Sequence, residues 1–252
     1  MVYMGSKDRT AKYLIPIMNK IIKDNNIDYF FDMCIGGGNL SANKKHKLDV
    51  NNIIGIDNNK YLIALLKKVQ LNELNYEEIN YEIYTDVRKN KDNYKDWYVG
   101  YVGFIHSFSG KFFNGFLKYV DDKGRVRSKQ IYNNLISQRD SLLKVRLFNK
   151  DIFEIDYSKF PKNSLLYFDP PYSNTTKYHS EFDNEKFWEL VDNLSKNFIV
   201  LISEFNAPNN YVSIWSKEKT SILNSKGNYK KDIDNLFIHK ENLRRLNGTK
   251  SI

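Results

Sequence analysis

The sequence predicts an α/β fold in which a mainly parallel β-sheet is flanked by helices. Short apolar segments, typical of buried strands, alternate along the chain with longer segments of helical periodicity. One of these predicted strands leads into three consecutive glycines, as a strand that ends in a ligand-binding turn would. The length of 252 residues fits either one large α/β domain or a catalytic domain that carries a small accessory subdomain.

The first predicted βαβ unit lies in the N-terminal third of the chain. Residues 29–34 form a predicted buried strand that leads into Gly36-Gly37-Gly38, and residues 52–56 form a second strand that ends at Asp57. Residues 58–74 are predicted to be a helix because apolar side chains recur on one face. These side chains are Leu62, Leu65, Leu66 and Val69.

An insertion is predicted between the two halves of the sheet. Residues 87–127 are rich in Tyr, Phe, Gly and Lys and show no clean periodicity. Residues 128–148 are predicted to be helical, with Ser128 as the N-cap and apolar residues on one side. These apolar residues are Ile131, Leu135 and Leu142. We therefore predict three parts, at residues 1–86, 87–147 and 148–252.

The C-terminal part is predicted to complete the sheet. Residues 165–168 and 198–202 are apolar and form predicted buried strands. Residues 212–215 and 235–239 are shorter strand candidates, which we expect to form an antiparallel hairpin at the sheet edge.

Composition excludes several classes of protein. Charged residues make up 27% of the chain, and no apolar run reaches the roughly 18 residues that a membrane span needs. The single cysteine, Cys34, excludes an internal disulfide, and the four histidines are too scattered to suggest a metal site. We expect a cytoplasmic protein with no bound metal.

The charge balance favours a polyanionic partner. There are 39 Lys and Arg against 30 Asp and Glu, which gives a net charge of +9. Residues 111–150 hold ten Lys and Arg but only three Asp, so most of the excess lies in one segment. Nucleic acid is the simplest partner for such a surface. The alternative is a compositional bias, because the chain is also rich in Asn and Ile.

The strongest motif is Asp169-Pro170-Pro171-Tyr172, which directly follows a predicted buried strand. The lone pair of an adenine amino nitrogen is delocalised into the ring, so two acceptors facing its N–H bonds would make it a better nucleophile. The Asp169 carboxylate and the Pro170 carbonyl can be these acceptors, and the prolines hold the turn rigid without adding donors. Tyr172 offers a face on which an extruded base could stack. The motif therefore suits amino-group methylation.

The glycine turn and Asp57 suggest a nucleoside cofactor. A glycine-rich turn lets a ligand approach the backbone, and an acid about 20 residues later can accept both ribose hydroxyls. The three adjacent glycines do not have the G-x-G-x-x-G spacing of dinucleotide sites, which argues against a nicotinamide oxidoreductase.

Together these motifs resemble the Dam-like family of DNA adenine methyltransferases, in the order cofactor motifs, recognition insertion, catalytic tetrapeptide. The resemblance runs from about residue 3 to residue 240. It implies a Rossmann-like fold that binds S-adenosylmethionine, with an inserted DNA target-recognition subdomain, and transfer of the methyl group to N6 of an adenine flipped out of double-stranded DNA. It assigns to the cofactor Tyr3, Met4, Gly5, Lys7, Asp32, Gly36, Gly38, Asp57, Asp151, Ile152 and Asp169, and to catalysis Asp169, Pro170, Pro171 and Tyr172.

This chain departs from the family in two places. Met33-Cys34 stands where family members commonly have Pro-Phe, which concerns only the packing of the cofactor. Residues 114–130 match no pattern, so the recognised DNA sequence cannot be carried over. The resemblance also implies a monomer or weak dimer and a possible cognate restriction nuclease.

Contacts with DNA are predicted for Lys7, Arg125, Arg127 and Lys129. Gly124 suggests a turn, and alternation beyond it in an extended segment would place the three basic residues on one face. Arginine reads guanine, whereas lysine more often holds phosphate. The alternative is a solvated basic loop.

Other functions remain open at the level of sequence. Methylation of a cytosine amino group uses a similar tetrapeptide, and RNA or a small molecule could be the substrate. A different class of function is a DNA-binding module that has kept the fold but lost catalysis. The intact tetrapeptide argues against this last alternative.

Overall fold

The computed structural model describes residues 1–117, 120, 124, 126–171, 182–222 and 229–248. In this part of the chain the helices are α1 (Ala11–Asp24), α2 (Lys60–Gln70), α3 (Tyr81–Lys89), α4 (Asp96–Ile105), α5 (Arg127–Ile136), α6 (Arg139–Leu142), α7 (Asn184–Ser195) and α8 (Lys240–Gly248). The strands are β1 (Tyr29–Asp32), β2 (Asn52–Asp57), β3 (Val145–Asn149), β4 (Ser164–Phe168), β5 (Ile199–Glu204), β6 (Tyr211–Ile222) and β7 (Tyr229–His239).

The strands form a seven-stranded mixed sheet in the order β3-β2-β1-β4-β5-β7-β6. β2 is parallel to β3, and β4 is parallel to both β1 and β5. β7 runs antiparallel to β5 and to β6. The predicted α/β fold with a mainly parallel sheet is confirmed. In the described ranges, no helix combines the length and the apolar character that crossing a membrane requires.

The chain divides into two compact units, each assembled from separate stretches of sequence. The first unit comprises Met1–Ile15, Ile35–Leu48 and Ile53–Ile152. The second comprises Pro16–Cys34, Asp49–Asn52 and Phe153–Ile252. The functional division at residues 86 and 147 stays a prediction.

In the first unit, β2 and α2 form where the apolar pattern predicted them. The interior of β2 is buried, and Asn59 caps α2 by accepting a hydrogen bond from the Leu62 N–H at 3.1 Å. Four apolar side chains of the predicted helix face are fully buried; they are Leu62, Leu65, Leu66 and Val69. This burial fixes α2 against the rest of the unit.

The single helix predicted over residues 128–148 is wrong. The segment forms α5, then the short helix α6, and ends in strand β3. In β3 the side chains of Val145 and Leu147 are buried while those of Arg146 and Phe148 are exposed, which is the period of two of a strand with one solvated face. Ser128 is not the N-cap: Val126 precedes α5, and the Ser128 hydroxyl lies 3.0 Å from the hydroxyl of Tyr76.

Residues 87–127, which show no periodicity, contain the buried helix α4. From Val99 to Ile105 every residue of this helix is buried, so it has no polar face and no amphipathic pattern. Gly100 permits its close approach to α2, because a Cβ at this position would lie 2.2 Å from the carbonyl oxygen of Tyr61. The part predicted to be an insertion thus contributes to the core of the first unit.

In the second unit, β4 lies between β1 and β5. All five residues of β4 are buried, as in a strand covered on both faces, which is why it appears in the sequence as a continuous apolar run. The predicted hairpin is confirmed, and it is longer than predicted: β6 and β7 have 12 and 11 residues. A register shift interrupts their pairing between Ser213 and Trp215.

Candidate active site

The glycine turn in the first unit has a backbone that favours glycine. Gly36 and Gly38 have φ angles of +50° and +67°, in the left-handed region that other residues rarely adopt. The turn is closed by the Gly38 N–H, which donates to the Ile35 carbonyl at 2.9 Å. It is attached to β2 by the Ile35 N–H, which donates to the Ile56 carbonyl at 2.9 Å.

Tyr3 lies directly on this turn. A Cβ at Gly36 would lie 2.7 Å from Cε1 of Tyr3, and a Cβ at Gly37 would lie 2.9 Å from its Cβ. The Tyr3 ring also packs near Phe104, with ring centroids 5.8 Å apart. The structure therefore brings together Tyr3 and the glycine turn, two cofactor residues predicted from distant parts of the sequence.

The rest of the N-terminal motif forms a tight turn. The Ser6 N–H donates to the Tyr3 carbonyl at 3.1 Å, and Gly5 has a φ of +82°, as the third residue of a type II turn does. Met4 and Gly5 are exposed. Lys7 is only 6% exposed, so it would have to become more accessible in order to contact DNA. Its predicted contact with DNA stays a prediction.

Asp57 ends β2 and faces the glycine turn. Its Oδ2 accepts a hydrogen bond from the Gly36 N–H at 3.0 Å, and its Oδ1 accepts one from the Asn59 N–H at 2.9 Å. Burial raises the pKa of the Asp57 carboxyl, and the two backbone donors oppose this effect. Each carboxylate oxygen has a second lone pair, so the oriented carboxylate can still accept two ligand hydroxyls.

The parallel pairing of β2 and β3 brings Asp151 and Ile152 to the same end of the sheet as Asp57. Asp57 is in register with Asn149, and the Lys150 N–H donates to the Asp57 carbonyl at 3.1 Å. Asp151 and Ile152 follow within two residues, and the Ile152 side chain is 7% exposed. Asp151 and Ile152 thus follow β3 at the end of the sheet where Asp57 ends β2, and their contact with the adenine ring of the cofactor stays a prediction.

Gln138 was missed by sequence reasoning. This buried side chain, 2% exposed, donates from Nε2 to the carbonyls of Gly37, Gly38 and Ala42 at 3.2, 2.8 and 3.1 Å. It thereby attaches the start of α6 to the glycine turn. No local signal marks this role, because the partners lie about a hundred residues earlier in the chain.

In the second unit, the predicted catalytic motif follows β4. The side chain of Asp169 is half-buried, Pro170 is buried and Pro171 is exposed. The predicted base-stacking residue, Tyr172, lies outside the described residues. The structure thus places the acid and both prolines directly after a buried strand, as predicted.

Acidic side chains surround the end of β4. Burial, and then the charges of Asp169, Asp32 and Asp234, raise the pKa of Tyr167 well above its usual value. Asp32 ends β1, pairs in register with Tyr167 and is 2% exposed; Asp234 in β7 is 3% exposed. Sequence reasoning identified Asp32 and Asp169 but not Asp234, which reaches this centre only through the pairing of β7 with β5. The local potential favours a cationic ligand.

Arg127 and Lys129, two of the predicted DNA-contacting residues, do not share an extended face. Arg127 and Lys129 are exposed, but they lie in the first turn of α5, where residues two apart point in different directions. Arg127 donates to Oε1 of Gln130 at 2.8 Å, and Nζ of Lys129 lies 5.6 Å from the centroid of the Tyr76 ring. The prediction that these two residues lie on one face of an extended segment is therefore wrong. Arg125 lies outside the described residues, and contact with DNA stays a prediction.

The polar groups of the first unit are suited to bind a nucleoside cofactor. Asp57 presents a carboxylate held by two backbone N–H groups, and the glycine turn with Tyr3 over it lies beside that carboxylate. These features agree with S-adenosylmethionine as the cofactor.

Comparison with known proteins points to methyltransferases. No protein-family model matches the chain. It is 25% identical over 248 residues to the type II methyltransferase M.FokI of Planomicrobium okeanokoites, an alignment that covers 89% of this chain and 36% of that protein. It is 25% identical over 195 residues to the modification methylase StsI of Streptococcus sanguinis, covering 71% of this chain and 29% of that protein. The chain thus spans only about a third of the length of these curated relatives.

A solved structure gives a distant match. The rRNA methyltransferase aviRa from Streptomyces viridochromogenes has a TM-score of 0.44 and 11% sequence identity, with coverage of 94% of this chain and 87% of that chain. This similarity is too low to indicate a substrate. The strand order and the parallel pairing of this chain themselves establish the Rossmann-like α/β sheet.

Proposed function

We propose that this chain is an S-adenosylmethionine-dependent DNA methyltransferase that methylates the exocyclic amino group of adenine, as the Dam-like family does. The observation that carries the proposal is the placement of Asp169-Pro170-Pro171 directly after the fully buried strand β4, with the carboxyl of Asp169 half-buried. A strand with no exposed residue holds these groups in a fixed position, which a positioned acceptor requires.

The proposed chemistry needs two acceptors for one amino group. The Asp169 carboxylate and the Pro170 carbonyl accept hydrogen bonds from the two N–H bonds of the adenine amine, and the nitrogen lone pair is then available as the nucleophile. Pro171 cannot place a competing backbone N–H beside these acceptors. Tyr172 stacks on the flipped base. The bound cofactor supplies an activated methyl group.

The first unit holds the cofactor in this proposal. Asp57 accepts the ribose hydroxyls with the lone pairs that Gly36 and Asn59 leave available. Asp151 and Ile152 contact the adenine ring, and Tyr3 with the glycine turn covers the remaining face. The resemblance to the Dam-like family also assigns the buried carboxylate of Asp32 to the cofactor.

DNA is the proposed substrate because the net charge of +9 favours a polyanion and because the motifs resemble those of DNA methyltransferases. The two curated relatives are named as a type II methyltransferase and a modification methylase, and these names support methyl transfer as the reaction. The position of the catalytic motif after the cofactor motifs, together with Tyr172, favours adenine over cytosine.

The test is transfer of tritium from methyl-labelled S-adenosylmethionine to purified nucleic acid. Unmodified double-stranded DNA, transfer RNA and a sample without nucleic acid are compared, and the methylated nucleoside is then identified by mass spectrometry. We expect label in DNA alone, as N6-methyldeoxyadenosine. N4-methyldeoxycytidine would refute the choice of base, label in RNA would refute the choice of polymer, and DNA binding without label would indicate a non-catalytic module.

Three further properties belong to the same proposal. We propose that the chain acts in the cytoplasm, as a monomer or weak dimer, and that a cognate restriction nuclease accompanies it. Sequencing the methylated positions in DNA from cells that express the chain gives the recognition sequence. A partner nuclease is supported if its cleavage of the same sequence is blocked by that methylation, and is ruled out if cleavage is unaffected.

A further inference from the structure

An exposed aromatic side chain lies in the loop that follows α4. We call residues 107–117 the rim loop. Within it, Phe108 is 61% exposed, whereas phenylalanine is among the residues that are most often buried. The next two residues, Ser109 and Gly110, have φ angles of +59° and +64°, so the chain turns sharply just after the exposed ring. A left-handed serine is uncommon and marks a backbone that its surroundings constrain.

The backbone of the rim loop is held at both ends. The Phe108 N–H donates to the Gly115 carbonyl at 3.0 Å, and the Leu117 N–H donates to the His106 carbonyl at 2.8 Å. The Phe113 N–H donates to the Gly103 carbonyl of α4 at 3.0 Å. The exposed ring therefore stands on an ordered backbone, and a ligand that contacts it need not first order the loop.

The rim loop adjoins the N-terminal segment, residues 1–3, whose Tyr3 lies on the glycine turn. A Cβ at Gly110 would lie 2.4 Å from the carbonyl oxygen of Val2 and 3.2 Å from the backbone nitrogen of Tyr3. The side chain of Tyr3 lies on Gly36. Phe108, two residues before Gly110, is thus at the border of the proposed cofactor site, and all of these residues belong to the first unit.

We propose that Phe108 is a nucleic-acid contact and that its ring stacks on a base of the substrate DNA at the border of the cofactor site. This inference rests on the proposed function and adds a substrate contact to it. DNA is the proposed ligand because the rim loop lies at the start of residues 111–150, the segment that holds most of the excess positive charge. Basic side chains hold the phosphates of a strand while an aromatic face stacks on a base whatever its sequence.

The test measures the affinity for a fluorescent DNA duplex by anisotropy at one fixed salt concentration, and the affinity for S-adenosylmethionine by calorimetry. Phe108→Ala should weaken binding of DNA by roughly 5- to 150-fold, the range expected for loss of one aromatic–base stack. Phe108→Tyr, which keeps an aromatic face, should bind DNA nearly as the wild type does. Cofactor affinity should be unchanged in both variants.

Leu71→Ala is the matched control, because Leu71 is a similarly exposed apolar residue, 64% exposed, at the C-cap of α2. If Phe108→Ala binds DNA as tightly as Leu71→Ala does, the inference is overturned. The assay measures binding and not methyl transfer. A wild type that binds DNA through Phe108 but transfers no methyl group would refute the catalytic proposal alone, whereas a wild type that binds no DNA would refute both.

Discussion

Replacing Gln138 by Leu tests whether the glycine turn is held by a single buried amide. Nε2 of Gln138 lies within hydrogen-bonding distance of three carbonyl oxygens, those of Gly37, Gly38 and Ala42. Leucine has a similar volume but neither a donor nor an acceptor, so the substitution removes these hydrogen bonds and leaves the packing largely intact. It also removes the hydrogen bond that Oε1 of Gln138 accepts from the Met1 ammonium at 2.5 Å. The Gly38 carbonyl still accepts a hydrogen bond from the Ala42 N–H at 2.9 Å. The carbonyls of Gly37 and Ala42 lose their donor in a buried position, where water cannot easily replace it.

Loss of these hydrogen bonds should lower both the free energy of unfolding and the affinity for the cofactor. An amide nitrogen carries two hydrogens, so two of the three contacts can be satisfied at full strength at one time. Leaving a buried acceptor unsatisfied costs about 1–3 kcal/mol, so the free energy of unfolding should fall by about 2–6 kcal/mol. If the backbone of at least one residue of the turn becomes disordered, binding of the cofactor must order it again. This ordering costs about 1–2 kcal/mol, which corresponds to roughly a 5- to 30-fold loss of affinity.

The assay combines urea unfolding with calorimetry of S-adenosylmethionine binding. Gln70→Leu is the matched control: Nε2 of Gln70 also donates to two backbone carbonyls, those of Leu142 and Val145 at 2.7 and 2.8 Å, and neither belongs to the glycine turn. Both variants should be less stable than the wild type, but only Gln138→Leu should bind the cofactor more weakly. Equal cofactor affinities in the two variants would refute a positioning role for Gln138.

Three further predictions address the proposed catalytic acid, the cofactor acid and a buried histidine. Asp169→Asn places a donor opposite the donating amine, so methyl transfer should fall by about 10²- to 10³-fold while DNA binding persists; near-normal turnover would contradict the proposal. Asp57→Ala should weaken cofactor binding by about 1.5–3 kcal/mol in calorimetry, and unchanged affinity would exclude its proposed ribose contact. Burial lowers the pKa of His106 from 6.5 to about 4, so below pH 6.5 the unfolded chain binds a proton that the folded chain does not. Stability should therefore fall by up to about 1.4 kcal/mol per pH unit as the pH falls from 6.5 towards 4, and urea unfolding of His106→Gln should lack this component of the slope.

The sequence by itself determined those elements whose signal is local. β2, β4 and β5 are buried strands, and their apolar runs can be recognised without knowing what packs on them. Asp57 and Asp169 could be identified for a related reason, since each directly ends or follows such a run. The motif order and the net charge belong to the same class of information.

Only the tertiary structure decided the features that depend on pairing between distant segments. Val145–Asn149 has too few apolar residues to be distinguished from the end of a helix, and it becomes strand β3 because β2 offers it backbone partners. α4 carries no amphipathic period because it is buried on all sides from Val99 to Ile105. Gln138 and Asp234 reach the glycine turn and the acidic centre through contacts with residues far away in the chain. Local periodicity reports how a segment meets solvent, whereas partners across the fold are fixed only when the chain has folded.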